Sequence, residues 1–157
     1  MSSLPVRRRI LGVDFGRVRI GVAVSDELGM LAHPVETIPA SRGEAPKRIA
    51  ELVREKNIER VVVGLPRHMN GSVGEAAGEA LAFAEKLRAL LPCEVITWDE
   101  RLTTMAANRA LREGGQKTRN SRSFVDQVAA QMILQGYLDG LQTARDRNPE
   151  AEIQPND

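Results

Sequence analysis

Near residue 40 the hydrophobic pattern changes period, and that change limits the possible fold more than any other feature of the chain. Before it, residues 9–15 and 19–26 are rich in Val and Ile. They flank the short link 16–18, which is a β-hairpin signal. MLAHPVETIP, residues 30–39, reads as a third strand, and its Pro34 suits a sheet edge. After residue 40 the period lengthens. Ile49, Leu52 and Val53 mark a helix over about 44–56. RVVVGL, 60–65, is a continuous apolar run of the kind found in buried central strands. Ser72 and Glu75 form a capping box before the helical stripe from Val73 to Leu91, which Pro92 stops. EVITW, 94–98, is another buried strand. Thr103 can cap a helix over about 104–113, ended by Gly114 and Gly115. Ser123 can cap a last helix over about 124–142.

The order is βββ-α-β-α-β-α-α. A meander followed by βα alternation implies an α/β fold: a mixed sheet with helices packed on it. The 157 residues suit one domain. We place it at 1–144, with 145–157 as a disordered, acid-rich tail.

Composition narrows the function classes. Aromatics are 3% of the chain, so the core must be aliphatic and a base-stacking platform for single strands is disfavoured. Cys93 is the single cysteine, which removes intramolecular disulfides and cysteine-based zinc sites and suits a reducing compartment. No apolar run reaches the length of a membrane span, and the N-terminus lacks the apolar segment of a signal peptide. The expectation is a cytoplasmic protein with no membrane partner. The net charge of +1 conceals basic patches at 7–9 and 112–123 that can grip a polyanion, although ordinary solvated faces have the same composition.

Three acids stand in apolar surroundings. Asp14 ends the first strand, Glu100 follows EVITW, and Asp126 lies near the start of the last helix. In open α/β sheets, sites gather at the carboxyl ends of the parallel strands. If the strands carrying Asp14 and Glu100 are neighbours and the last helix crosses their ends, the three acids meet. Converging carboxylates need a positive charge between them, or their pKa values rise. Oxygen donors without His or Cys select Mg²⁺ or Mn²⁺, and two such ions can drive phosphodiester hydrolysis. Each acid also has an ordinary role open to it. Asp14 can be a turn acid before Gly16, Glu100 a surface ion-pair residue, and Asp126 the N3 acid behind a Ser123 cap.

GVDFGRVRIGVAVSD, VVVGLPRHMNGS, DERLTT and VDQVAAQMILQGYLD, in this order, resemble the YqgF/RuvX family, from about residue 8 to 142. These are bacterial RNase H-like nucleases, described as Holliday junction resolvases or pre-16S rRNA nucleases. The resemblance implies an RNase H-like fold with a five-stranded mixed sheet and a βββαβαβ core. It also implies that Asp14, Glu100 and Asp126 are the catalytic, metal-holding acids. Asn70 stands where the family commonly has Asp, so it is not counted as a ligand. It can cap a helix or contact a phosphate. Arg17, Arg67, Arg101, Lys117, Arg119 and Arg122 are assigned with Asn70 to the nucleic-acid backbone. His33 is read as structural, His68 as at most a phosphate contact, and Cys93 as a small core residue.

The expected activity is metal-dependent cleavage in 5′ end processing of precursor 16S rRNA. Paired nicking of branched DNA is the alternative. That reaction needs a symmetric dimer, for which the sequence shows no seam, so monomer and homodimer both stay open. Two other classes are weighed. An ATP-binding protein of the actin type opens on a similar hairpin but needs a second lobe. A non-catalytic nucleic-acid-binding module on the same fold would not need all three acids.

Overall fold

The computed structural model describes residues 9–40, 43–66, 74–100 and 119–147. Five strands, β1 (Arg9–Asp14), β2 (Arg19–Ser25), β3 (Ala32–Pro39), β4 (Ile58–Leu65) and β5 (Glu94–Asp99), form one sheet in the order β3-β2-β1-β4-β5. The meander β1–β2–β3 is antiparallel, while β4 and β5 run parallel to β1 and to each other. This is the mixed sheet expected from the change of period. β3 lies at the edge, and the register slips there between Val22 and Ala23, next to Pro34. Proline gives up a ladder hydrogen bond, which an edge strand tolerates.

Helices α1 (Ala45–Glu55) and α2 (Glu75–Leu90) cover one face of the sheet, and α3 (Arg119–Arg147) covers the other. Alternation along β1 divides the two cores. Leu11 and Val13 pack with Ile49, Leu52 and Leu87 from α1 and α2. Ile10 packs with Ala130, Ile133 and Leu134 of α3. With period 2, Gly12 and Asp14 share the α3 face with Ile10. The two cores are almost wholly aliphatic, as the scarcity of aromatics requires.

The helix starts differ from expectation. α2 begins at Glu75 with Gly74 as N-cap and no side-chain cap, so the Ser72–Glu75 capping box is not its start. Glu75 instead occupies the first turn, where the helix dipole favours an acid, and it pairs with Arg17. α3 begins at Arg119, so Ser123 is inside the helix rather than its cap. The polar run RNSRS carries no apolar period, and the first apolar residue after it was a misleading boundary. α3 also continues to Arg147, past the expected end near 142 and into the segment read as a tail. The expected helix 104–113 and its Thr103 cap lie outside the described residues, as do His68 and residues 148–157.

Candidate active site

At the end of β1, glycines flank the strand on both sides. Asp14 pairs with Gly21 of β2, and the register continues from Val13 opposite Val63 so that Gly64 of β4 comes alongside Asp14. A glycine on each side leaves the α3 face open around the carboxylate. Two close approaches use that space. A Cβ on Gly21 would stand 1.9 Å from the main-chain oxygen of Asp126, so α3 rests directly on β2 there. A Cβ on Gly64 would stand 2.4 Å from Ile133 Cδ1 and 3.1 Å from Glu100 Oε2. Glu100 therefore turns back from the end of β5 over β4, and Asp126 comes in over β2. Asp14 lies between them on the same face. The sheet order places the strands of Asp14 and Glu100 one strand apart, with β4 between them, rather than side by side.

Asp126 lies two turns into α3, so it is not the N3 acid of a capped helix. Its partner is Arg19, whose Nε donates to Asp126 Oδ2 at 2.6 Å. Arg19 opens β2, two residues before Gly21, and so faces α3 as Gly21 does. The sequence reading missed Arg19 and chose its neighbour Arg17. Nothing local distinguishes the two arginines, because the partner of Arg19 lies 107 positions away. Glycines inside strands are a signal for close backbone approach, and Gly21 and Gly64 could have been read that way.

Arg17 is placed at the rim, but its charge is engaged. Its Nε donates to both Glu79 carboxylate oxygens at 2.8 and 2.9 Å, and its Nη2 lies 3.0 Å from Glu75. The hydrogen bond and charge of Arg17 hold the Glu79 carboxyl below the usual glutamate range. The pair ties the hairpin link to the start of α2. Between them runs an open groove of about 360 Å³, floored by Phe15 and Gly16 and bounded by Arg19, Ala76 and Asp126. Arg67, Asn70, Arg101 and Lys117 lie outside the described residues. Arg119 and Arg122 are on the opening turns of α3, with side chains outside the described set.

The donor chemistry at this end of the sheet is carboxylate oxygen, which suits hard divalent cations. Among the described residues, however, no three His, Cys, Asp or Glu side chains are gathered closely enough to hold an ion as they stand. Elsewhere, Cys93 packs against the α1/α2 core, and burial pushes its thiol up, consistent with a small core residue. Among the described residues no helix is long and apolar enough to cross a membrane.

Comparison with known proteins identifies the family. A family model described as "RuvX: Holliday junction resolvase" matches residues 8–140. A protein of Nocardia farcinica is 51% identical over 144 residues, covering 86% of this chain and 79% of its own length. One of Bacillus cytotoxicus is 46% identical over 134 residues, covering 83% of this chain and 98% of its own. Both are provisionally named pre-16S rRNA nuclease. Among solved structures, Thermus thermophilus RuvC in complex with a Holliday junction substrate aligns over 87% of this chain and 96% of its own. Its TM-score is 0.55 at 15% identity, a likeness of fold. With the RNase H-like sheet order and a family match over most of its length, this chain belongs to the RuvX family of nucleases.

Proposed function

We propose that this chain hydrolyses phosphodiester bonds with a divalent metal at the sheet end where Asp14, Glu100 and Asp126 gather, and that it processes the 5′ end of precursor 16S rRNA. The observation that carries the site is the pair of close approaches at Gly21 and Gly64, which bring Asp126 and Glu100 over the face that Asp14 occupies. The provisional name of the relatives supports the RNA substrate.

Asp14, Glu100 and Asp126 would hold Mg²⁺ or Mn²⁺. Bound there, the metal supplies an activated water and offsets charge at the scissile phosphate. The chain's own contribution is position. Asp14 is fixed by the β1–β2 ladder, and Asp126 by the seat of its backbone on Gly21. The groove beside them is open to solvent along the hairpin link, a path for an extended sugar–phosphate strand. Arg67, Asn70, Arg101, Lys117, Arg119 and Arg122 are assigned to that strand. Arg17 serves instead to hold the link against α2, since Glu75 and Glu79 take up its charge. The compartment we assign is the cytoplasm.

The family description favours a second substrate, the four-way DNA junction. Resolution there requires two sites related by symmetry, hence a dimer. One cleavage panel separates the readings: precursor rRNA, single-stranded RNA, single-stranded DNA and a synthetic junction, each with Mg²⁺ and Mn²⁺, wild type against Asp14→Asn. Cutting of precursor rRNA by the wild type alone supports the proposal. Preferential junction cutting by a sedimenting dimer moves the substrate to DNA. Undiminished cutting by Asp14→Asn overturns the site.

A further inference from the structure

We infer that Arg19 is the resident counter-cation of Asp126, and that a divalent ion completes the site by displacing its guanidinium. The inference rests on the metal-site reading above and adds what holds the site together before the metal arrives.

Three carboxylates brought to one end of a sheet repel one another unless a positive charge stands among them. Asp126 cannot relieve that repulsion by moving away, because its main chain is seated on Gly21. Arg19 supplies the charge from the same face of β2, with Nε 2.6 Å from Asp126 Oδ2. Its grip is a one-point contact through Nε, and the two side chains keep 39% and 23% of their exposure. Solvent and ions can reach the pair. A partly exposed ion pair of this kind is worth about fivefold in an equilibrium, less than a divalent ion gains from several carboxylates. Arg17 shows the contrast. It is held by two glutamates, with Nε on both oxygens of Glu79, and both glutamates lie on α2 rather than at the end of the sheet. One arginine is a tie between elements, and the other is placed to be exchanged.

Displacement makes a prediction opposite to that of a structural ion pair. If Arg19 competes with the metal, removing it tightens metal binding. If it merely holds α3 in place, removing it loosens α3 and weakens metal binding. The experiment is Mn²⁺ titration calorimetry on the full chain without nucleic acid, for wild type, Asp14→Asn, Arg19→Gln and Arg19→Lys, each checked for a cooperative thermal transition. We expect Arg19→Gln to lower the Mn²⁺ dissociation constant about fivefold, and Arg19→Lys, which keeps the charge, to remain near wild type. Mn²⁺ binding that is unchanged or weaker in a folded Arg19→Gln overturns the exchange. Should Arg19→Gln not fold, a dissociation constant for Arg19→Lys raised above wild type decides against exchange. Mn²⁺ binding equal in wild type and Asp14→Asn sinks the metal site itself, which distinguishes the failure of that reading from the failure of this one.

Discussion

The main-chain oxygen of Asp126 occupies the space where a side chain on Gly21 would begin, 1.9 Å from the position of its Cβ. The contact is between backbones, so no rotamer change relieves it. It joins α3 to β2 at the residue paired with Asp14. Gly21→Ala must push the helix off the sheet. Overpacking of this kind costs about 1–3 kcal/mol. The displaced backbone carries the side chain of Asp126, a proposed ligand, so nuclease activity should fall further than stability does. Urea unfolding beside a cleavage assay at a temperature where the variant stays folded checks both.

Gly64 makes a different contact. A Cβ there meets the end of the Ile133 side chain at 2.4 Å and Glu100 Oε2 at 3.1 Å. Both are side-chain ends that can turn aside. Gly64→Ala should therefore cost less stability than Gly21→Ala, about 1 kcal/mol, near the low end of overpacking. Its effect on cleavage should still exceed its effect on stability, because the Glu100 carboxylate must give way along with Ile133. A stable variant with wild-type cleavage would show that Glu100 is not placed by Gly64.

These contacts mark the limit of what the sequence discloses. The strands were legible because Val and Ile runs record burial locally, and Pro34 recorded an edge. Asp14 was legible because a carboxylate inside an apolar strand is locally anomalous. The start of α3 was not, since RNSRS contains no apolar residue to carry a helical period. Nor was Arg19, whose importance depends on where a helix more than a hundred residues later crosses the sheet. Gly21 and Gly64 announced close approach, but only the crossing of α3 and the turn of Glu100 say what approaches. The strands that lead to Asp14 and Glu100 are separated by β4 rather than adjacent.

Arg48 on α1 binds the edge of the sheet. Its Nε and Nη2 donate to the two oxygens of Glu36 on β3 at 2.9 and 2.7 Å, and its Nη1 reaches Glu51 at 3.0 Å. The Arg48 hydrogen bond holds the Glu36 carboxyl below the usual glutamate range. A carboxyl lowered on folding stabilises the protein above its unfolded value, near 4.5, and that contribution disappears as pH falls through the lowered folded value. Arg48→Met should cost about 1 kcal/mol at neutral pH, discounted for the exposure of the pair. Urea unfolding of wild type and variant at neutral pH and at about pH 3 should show the difference shrinking in acid, below the ordinary carboxylate range.

The outer edge of β3 is covered at its first residue, Ala32, by one face of α3. Gln131 Nε2 donates to the Ala32 carbonyl at 2.9 Å, and the Ala32 amide donates to Gln135 Oε1 at 2.9 Å. Gln135 Nε2 also reaches the Met30 carbonyl at 2.8 Å. Gln131 and Gln135 are one turn apart, which matches the two backbone groups of a single edge residue. An open edge invites pairing with a second chain, and covering it is one of the ways proteins prevent that. The double variant Gln131→Leu, Gln135→Leu keeps the bulk and removes the hydrogen bonds. Each bond lost at this partly buried position should cost about 1 kcal/mol. The released edge should also raise self-association, read by sedimentation velocity over a concentration series. A double variant that self-associates no more than the wild type would show that the hydrogen bonds serve stability alone. Association would show that two glutamines on the helix that carries Asp126 also keep the chain from pairing at the start of β3.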